Sequence, residues 1–167
     1  MKKQSLSMDD CLEDVITEYS TMVYRLAVSQ VRNKNDADDI FQEVFFRYIR
    51  RKPRFESEEH RRSWFIRVTL NCCRNMFNSA WIKRTVPIDD DTFVFETKEE
   101  NDLFYELQKL PAKYRTVIHL FYYEDMSIVE ICNTLAKKPS TVKMQLLRAR
   151  KMLKKILSED YHVEEDL

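Results

Sequence analysis

The segment ICNTLAKKPSTVKMQLLRARKML, residues 131–153, interrupts a helical pattern for three residues, and the interruption ends at Pro139. Upstream of it, Ser127 and Glu130 stand at the spacing of a capping box, which places a helix start just before SIVEICNTL. Ile128, Ile131, Cys132 and Leu135 form the apolar stripe of that helix. Downstream, Pro139 suits the first position of a new helix, where its missing N–H is no loss. Val142, Leu146, Ala149, Leu153 and Ile156 then recur at four- and three-residue steps, a face that must pack on a partner. The remaining surface exposes Ser140, Thr141, Lys143, Met144, Arg148, Lys151 and Lys154, and residues 137–155 carry eight basic side chains and no acidic one. Helix pair, tight turn, polar helix tip and unopposed positive charge together predict a helix-turn-helix. Its early residues would enter a major groove while later Arg and Lys residues meet phosphates.

The break falls in a chain of 167 residues without a single glycine. A left-handed backbone at Ala136 would cost on the order of 1 kcal/mol, so either the turn avoids that conformation or the cost is carried. Lys138 cannot accept an N-cap hydrogen bond, whereas Ser140 or Thr141 could if the helix began a turn later.

Helical spacing also runs through the rest of the chain, and strand-like alternation is nearly absent. In CLEDVITEYSTMVYRLAVSQV, Leu12, Val15, Ile16, Tyr19, Val23, Leu26 and Ala27 predict an amphipathic helix or helix pair. NKNDADD supplies a stop and a fresh start. In the helix that follows, Asp36, Asp38 and Asp39 suit the positive end, Arg47, Arg50, Arg51 and Lys52 suit the other, and Pro53 stops it. A third helix begins near Glu58 or His60, with Trp64, Val68 and Cys72 at steps of four, Phe65 beside them, and Arg61, Arg62, Arg67 and Arg74 on or near other faces. TVPIDDDTFVFETKEEND, with Pro87 and three successive Asp residues, reads as a tether. The expected fold is all-α, two small helical domains joined by a flexible linker, the C-terminal one a four-helix domain with the helix-turn-helix. The expected boundaries are 1–85, a linker at 86–98, 99–160, and an acidic tail at 161–167.

Composition narrows the function classes. The 44% apolar and 34% charged content fits a globular protein. No window approaches 18 uninterrupted apolar residues, and MKKQSLSMDDCLEDV lacks the apolar core of a signal peptide, so a cytoplasmic location is expected. Cys11, Cys72, Cys73 and Cys132 form neither a disulfide framework nor a metal-ligand spacing, and read as small apolar side chains. The Cys72–Cys73 pair has no nearby His to act as base, and His60 and His119 fall in different halves, so no catalysis, metal or cofactor is expected. Net charge is zero, yet residues 47–84 carry eleven basic side chains against three acidic ones, while residues 85–110 carry two against eight. Two separate basic surfaces suit contact with an extended polyanion at two places.

The ordered set Leu110-Pro111, Arg115, Ser127, Glu130-Ile131, Thr141 to Lys143 and Arg148 to Arg150, together with DADDIFQEVFFRYI and WFIRVTLNCCRN, resembles the sigma-70 family of bacterial transcription factors, in its compact extracytoplasmic-function class. The likeness covers about residues 10–157. It implies two helical domains, region 2 and region 4, that bind core RNA polymerase, direct it to promoters and assist melting. Asp38, Asp39, Gln42, Glu43, Phe46 and Arg47 then become candidates for docking on the beta-prime clamp, with the beta subunit a further contact. Phe41, Val44, Phe45 and Tyr48 are expected in the core. Arg54, Phe55, Arg61 and Arg62, with Asn71, Arg74, Asn75 and Asn78 on the melting helix, become candidates for the minus-ten element, where cations hold phosphates and aromatic faces accept unstacked bases. Trp64, on the apolar face, is expected in the core. Ser140, Thr141, Lys143, Met144, Arg148 and Lys151 become candidates for the minus-thirty-five element. The resemblance also implies promoter DNA and polymerase as partners and no small-molecule substrate, and an anti-sigma factor, membrane-bound in many members, accompanies the class.

Two places depart from the family pattern. Gly is common where this chain has Ala136, an apolar residue where it has Lys137, and a Ser-like cap where it has Lys138. On the melting helix, Asn75 and Asn78 replace an Asp and an Arg. The rival functions are a stand-alone helix-turn-helix regulator, which would bind symmetric half-sites without polymerase, and a degenerate sigma-like interaction protein.

Overall fold

In a computed structural model the chain is all-α and divides into two compact units, Met1–Phe93 and Val94–Leu167, of which residues 11–80 and 98–165 are described. The linker residues 86–97, with Trp81, Lys83 and Arg84, lie outside the described residues.

The first unit holds three helices. α1 spans Leu12–Gln30 as one uninterrupted helix, rather than a pair. α2, Lys34–Arg51, starts at Asn33, whose side-chain oxygen accepts the Asp36 N–H at 2.8 Å while its amide donates to the Asp36 carboxylate at 2.9 Å. The helix ends on Lys52 in the left-handed region, φ 47° and ψ 57°, its N–H donating to the Tyr48 carbonyl at 3.1 Å. Pro53 follows and cannot continue the ladder. α3, Glu58–Ala80, starts after Ser57, whose hydroxyl accepts the His60 N–H at 3.1 Å, a cap that falls one residue before the expected start.

The core of this unit is aromatic. Phe65 is fully buried at the centre, stacked on Tyr19 with centroids 4.5 Å apart and on Tyr48 at 5.4 Å, with Phe45 at 5.6 Å and the Trp64 edge at 5.0 Å. Val23, Leu26, Ile40, Val44 and Ile66 fill the space around it. Trp64 itself is half-buried, so the core claims one side of the ring. Cys72 and Cys73 are buried free thiols, as is Cys132 in the second unit, while Cys11 is exposed ahead of α1.

In the second unit, α4 spans Lys98–Gln108 and α5 spans Ala112–Ile118, running on into a π-helical turn, His119–Tyr123. α6 is Ile128–Leu135 and α7 is Pro139–Glu165. Lys98, the last residue of the expected linker, is thus already helical, and the backbone of residues 161–165 continues α7. The Leu-Pro…Arg pattern has a physical reason here. Arg115, 8% exposed, donates from Nη1 to the Gln108 carbonyl at 3.2 Å, the Gln108 side chain at 3.2 Å and the Leu110 carbonyl at 3.4 Å. A buried guanidinium thereby satisfies the orphan carbonyls at the end of α4. Leu110, Val117, Leu120, Ile131, Val142, Leu146 and Ala149 make an aliphatic core between α5, α6 and α7. Among the described residues no helix is long and apolar enough to cross a membrane.

Candidate nucleic-acid and polymerase interfaces

The helix-turn-helix is built as the sequence demands, but with strain. Ser127 and Glu130 form the full capping box: the Ser127 hydroxyl accepts the Glu130 N–H at 3.1 Å, and the Glu130 carboxylate accepts the Ser127 N–H at 2.7 Å. α6 ends on Ala136 at φ 52° and ψ 46°, so the left-handed conformation is adopted without glycine and its cost is carried. The Lys137 N–H returns to the Cys132 carbonyl at 3.1 Å, the six-to-one bond of a Schellman turn. The first bond of α7 runs from the Val142 N–H to the Lys138 carbonyl at 3.1 Å. The helix therefore starts at Pro139, not a turn later. Ser140 and Thr141 lie inside its first turn, and both residues are exposed on the helix tip rather than needed as the cap.

From that start, α7 separates its faces cleanly. Val142, Leu146 and Ala149 are at most 2% exposed, while Ser140, Thr141, Lys143, Met144, Arg148 and Lys151 are all exposed. The candidate residues thus share the side of the helix away from the core. Leu147 joins them at 46% exposure, matching Met144, and sequence reasoning misses it because an apolar residue in an apolar-periodic helix reads as core. Arg150 is also exposed, but its side chain is engaged on its own unit. Its Nε donates to the Tyr122 hydroxyl at 2.7 Å, and its guanidinium lies over the Phe121 and Tyr122 rings at 5.4 and 5.6 Å. Lys137 similarly reaches the Gln145 side chain at 3.3 Å.

On α2, at about 100° per residue, Asp39, Gln42, Glu43 and Phe46 share one face, with Asp38 and Arg47 at its margins. Asp39 and Gln42 are exposed and Phe46 is 56% exposed. Glu43 and Arg47 engage each other at 2.8 Å, a hydrogen bond that raises the Arg47 pKa, and Asp38 accepts from Lys34 at 3.1 Å. Ile49, 43% exposed, lies one turn from Phe46 and extends the apolar spot on this charged face. Of the expected core aromatics on α2, Phe45 and Tyr48 are buried with Val44, and Phe41 is half-buried.

The candidates on and before α3 divide. Arg67, Asn71, Arg74, Asn75 and Asn78 are exposed and fall on one stripe at three- and four-residue steps, with Arg67 an addition that its spacing to Asn71 and Arg74 could have signalled. Arg54, in the preceding loop, is exposed as well. Phe55 and Arg61 are not on this surface. Each is 3% exposed, and the Arg61 guanidinium sits 5.7 Å from the Phe55 ring centroid and 3.9 Å from Glu58. A ring closed off in this way has no free face on which a base can stack, so both residues brace the start of α3. Arg62 is half-buried on the core-facing arc of the helix. Of the four candidates Arg54, Phe55, Arg61 and Arg62, Arg54 is the exposed one: Phe55 is buried in the loop before α3, and helical phase carries Arg61 and Arg62 towards the core.

The profile described as Sigma-70 region 2 matches residues 15–82, and the profile described as Sigma-70, region 4 matches residues 102–153. The RNA polymerase sigma factor SigV of Bacillus subtilis is 30% identical over 151 residues, covering 87% of this chain and 90% of that protein. The chain belongs to the sigma-70 family, in its extracytoplasmic-function class. The ECF sigma factor SigW of the same organism is 26% identical over 172 residues, with 90% of each chain covered. A solved structure of the sigma factor RpoE in complex with the anti-sigma factor NepR from Bartonella quintana shares the fold, with a TM-score of 0.70 at 20% identity over 87% of this chain and 96% of that one. Region 2 of this sigma factor thus encloses α1 to α3, with the acidic α2 face and the polar α3 stripe. Region 4 encloses the helix-turn-helix.

Proposed function

We propose that this sigma factor docks on core RNA polymerase through the α2 face of Asp38, Asp39, Gln42, Glu43, Phe46 and Arg47, and reads promoter DNA with two separate surfaces. The minus-thirty-five element meets Ser140, Thr141, Lys143, Met144, Arg148 and Lys151 on α7. The minus-ten element meets Arg54, Asn71, Arg74, Asn75 and Asn78, with Arg67 added. RNA synthesis and its magnesium belong to the polymerase.

The observation that carries this reading is the one-sided α7: buried aliphatic residues on one face, cations and a polar tip on the other, presented by a capped helix pair. Neutral Asn75 and Asn78 keep hydrogen-bonding capacity on the α3 stripe, and the phosphate attraction there comes from Arg67 and Arg74. A stand-alone regulator leaves both the α2 face and this stripe without a role. An anti-sigma factor is the further partner that membership of the class supports, and its binding would compete with polymerase for the same faces.

The test pairs a pulldown of core polymerase by the intact chain with transcription from a genomic promoter library. Capture of core and initiation at discrete promoters that core alone ignores is the expected result. Failure to capture core, with promoter binding retained, would instead assign the chain to the stand-alone regulators.

A further inference from the structure

We propose that Met144 and Leu147 are thymine-methyl readers, giving region 4 a direct preference for an A·T pair within the upstream promoter element. The proposal rests on the reading that α7 lies in the major groove.

Both side chains are 46% exposed, three residues apart on the solvent face of α7. The helix already has its core in Val142, Leu146 and Ala149, so the fold makes no use of this pair. At about 3.6 residues per turn, they stand between about one and a half and two turns from the start at Pro139, within the portion a groove can receive. Ser140 precedes them and Lys151 follows on the same line, with Lys143 and Arg148 exposed to either side. No carboxylate occurs between residues 137 and 155. An apolar pair ringed by cations matches a polyanion that carries apolar groups, rather than the apolar groove of a protein. In the major groove the apolar group on a base edge is the C5 methyl of thymine, so burial of these side chains there rewards thymine over the other bases. Met144 supplies an adaptable thioether and Leu147 a branched, better-defined contact.

The experiment uses holoenzyme assembled from the full chain and core polymerase, on a duplex it selects from a randomised library. Each thymine of the upstream element is replaced singly by deoxyuridine, which keeps the hydrogen-bonding edge and removes the methyl. With the native chain, one or two positions should each weaken binding about fourfold, the worth of one buried methyl group. The M144A/L147A double variant should bind both forms alike while retaining its helical circular dichroism. Indifference of the native chain to every deoxyuridine, with R148A still weakening binding, would overturn the methyl reading and leave the DNA-facing α7 intact. An upstream element selected without any A·T pair would overturn it too. If R148A and K151A are also without effect, α7 is not on DNA and the underlying reading falls with the proposal.

Discussion

The two units display cations over different cores, and the contrast shows when a charge run can be trusted. In region 4 every core position of the charged segment of α7 is aliphatic, and the cations named for DNA all fall on the opposite side. In region 2 the basic residues of α3 are dealt to both sides of the helix: Arg67 and Arg74 outward, Arg61 into the aromatic core beside Phe55, and Arg62 half-buried. A run of cations on a single-phase amphipathic helix is therefore a surface. A similar run on a helix with aromatic packing is partly structure, because rings tolerate a guanidinium against their faces.

The contrast can be broken most forcefully at the core. Phe65→Ala should cost about 3–5 kcal/mol, since it removes the ring on which Tyr19 and Tyr48 stack. Urea unfolding followed through near-ultraviolet circular dichroism would measure it. A loss below about 1 kcal/mol would mean that the aromatic centre is not the region 2 core.

The paired arginine changes sharpen the comparison directly. Arg61→Ala should lose about 2 kcal/mol of stability because the side chain is buried and packs on the Phe55 ring. Arg148→Ala should stay within about 0.5 kcal/mol of the native chain, while lowering the salt dependence of DNA binding by about one phosphate contact. The reverse pattern would exchange the roles assigned to the two cations.

At the turn, Ala136→Gly should stabilise the protein by about 1 kcal/mol, since φ 52° is free of steric penalty for glycine. Destabilisation of the variant in the same urea assay would contradict the left-handed turn.

The smallest effect concerns pH. Burial, then the hydrogen bond to Glu58 at 2.9 Å, raises the Tyr19 pKa well above its ordinary value of 10.0. Because the folded state holds this proton more tightly, the contribution is complete below about pH 10 and is lost as pH climbs towards the folded pKa. Tyr19→Phe cannot titrate, so the stability gap between native and variant chains should narrow as pH rises above about 10. A constant gap would show that Tyr19 does not titrate differently in the two states.

Much of this architecture is legible in the sequence. The capping box at Ser127 and Glu130, the start at Pro139 and the α7 core spacing follow local rules, and local rules act within a few residues of chain. What the sequence hides depends on partners distant along it. Arg61 and Phe55 look like DNA ligands until both are seen buried against each other, and the contact of Arg150 with Tyr122, 28 residues earlier, has no signal in the local pattern. Leu147 is hidden for the opposite reason: an apolar residue reads as core until the core is seen to be complete without it. Ala136 lies between these cases, since composition poses its strain and only the backbone settles it.

The most direct test of the α7 assignment is promoter-specific initiation by holoenzyme carrying the R148A/K151A double variant, compared with the native chain at equal occupancy of core polymerase. The variant should bind core normally through α2 and lose initiation at promoters that require their upstream element, with the deficit relative to the native chain largest at low salt and narrowing as salt rises. Undiminished initiation at those promoters would contradict the claim that the α7 face is where this sigma factor meets DNA.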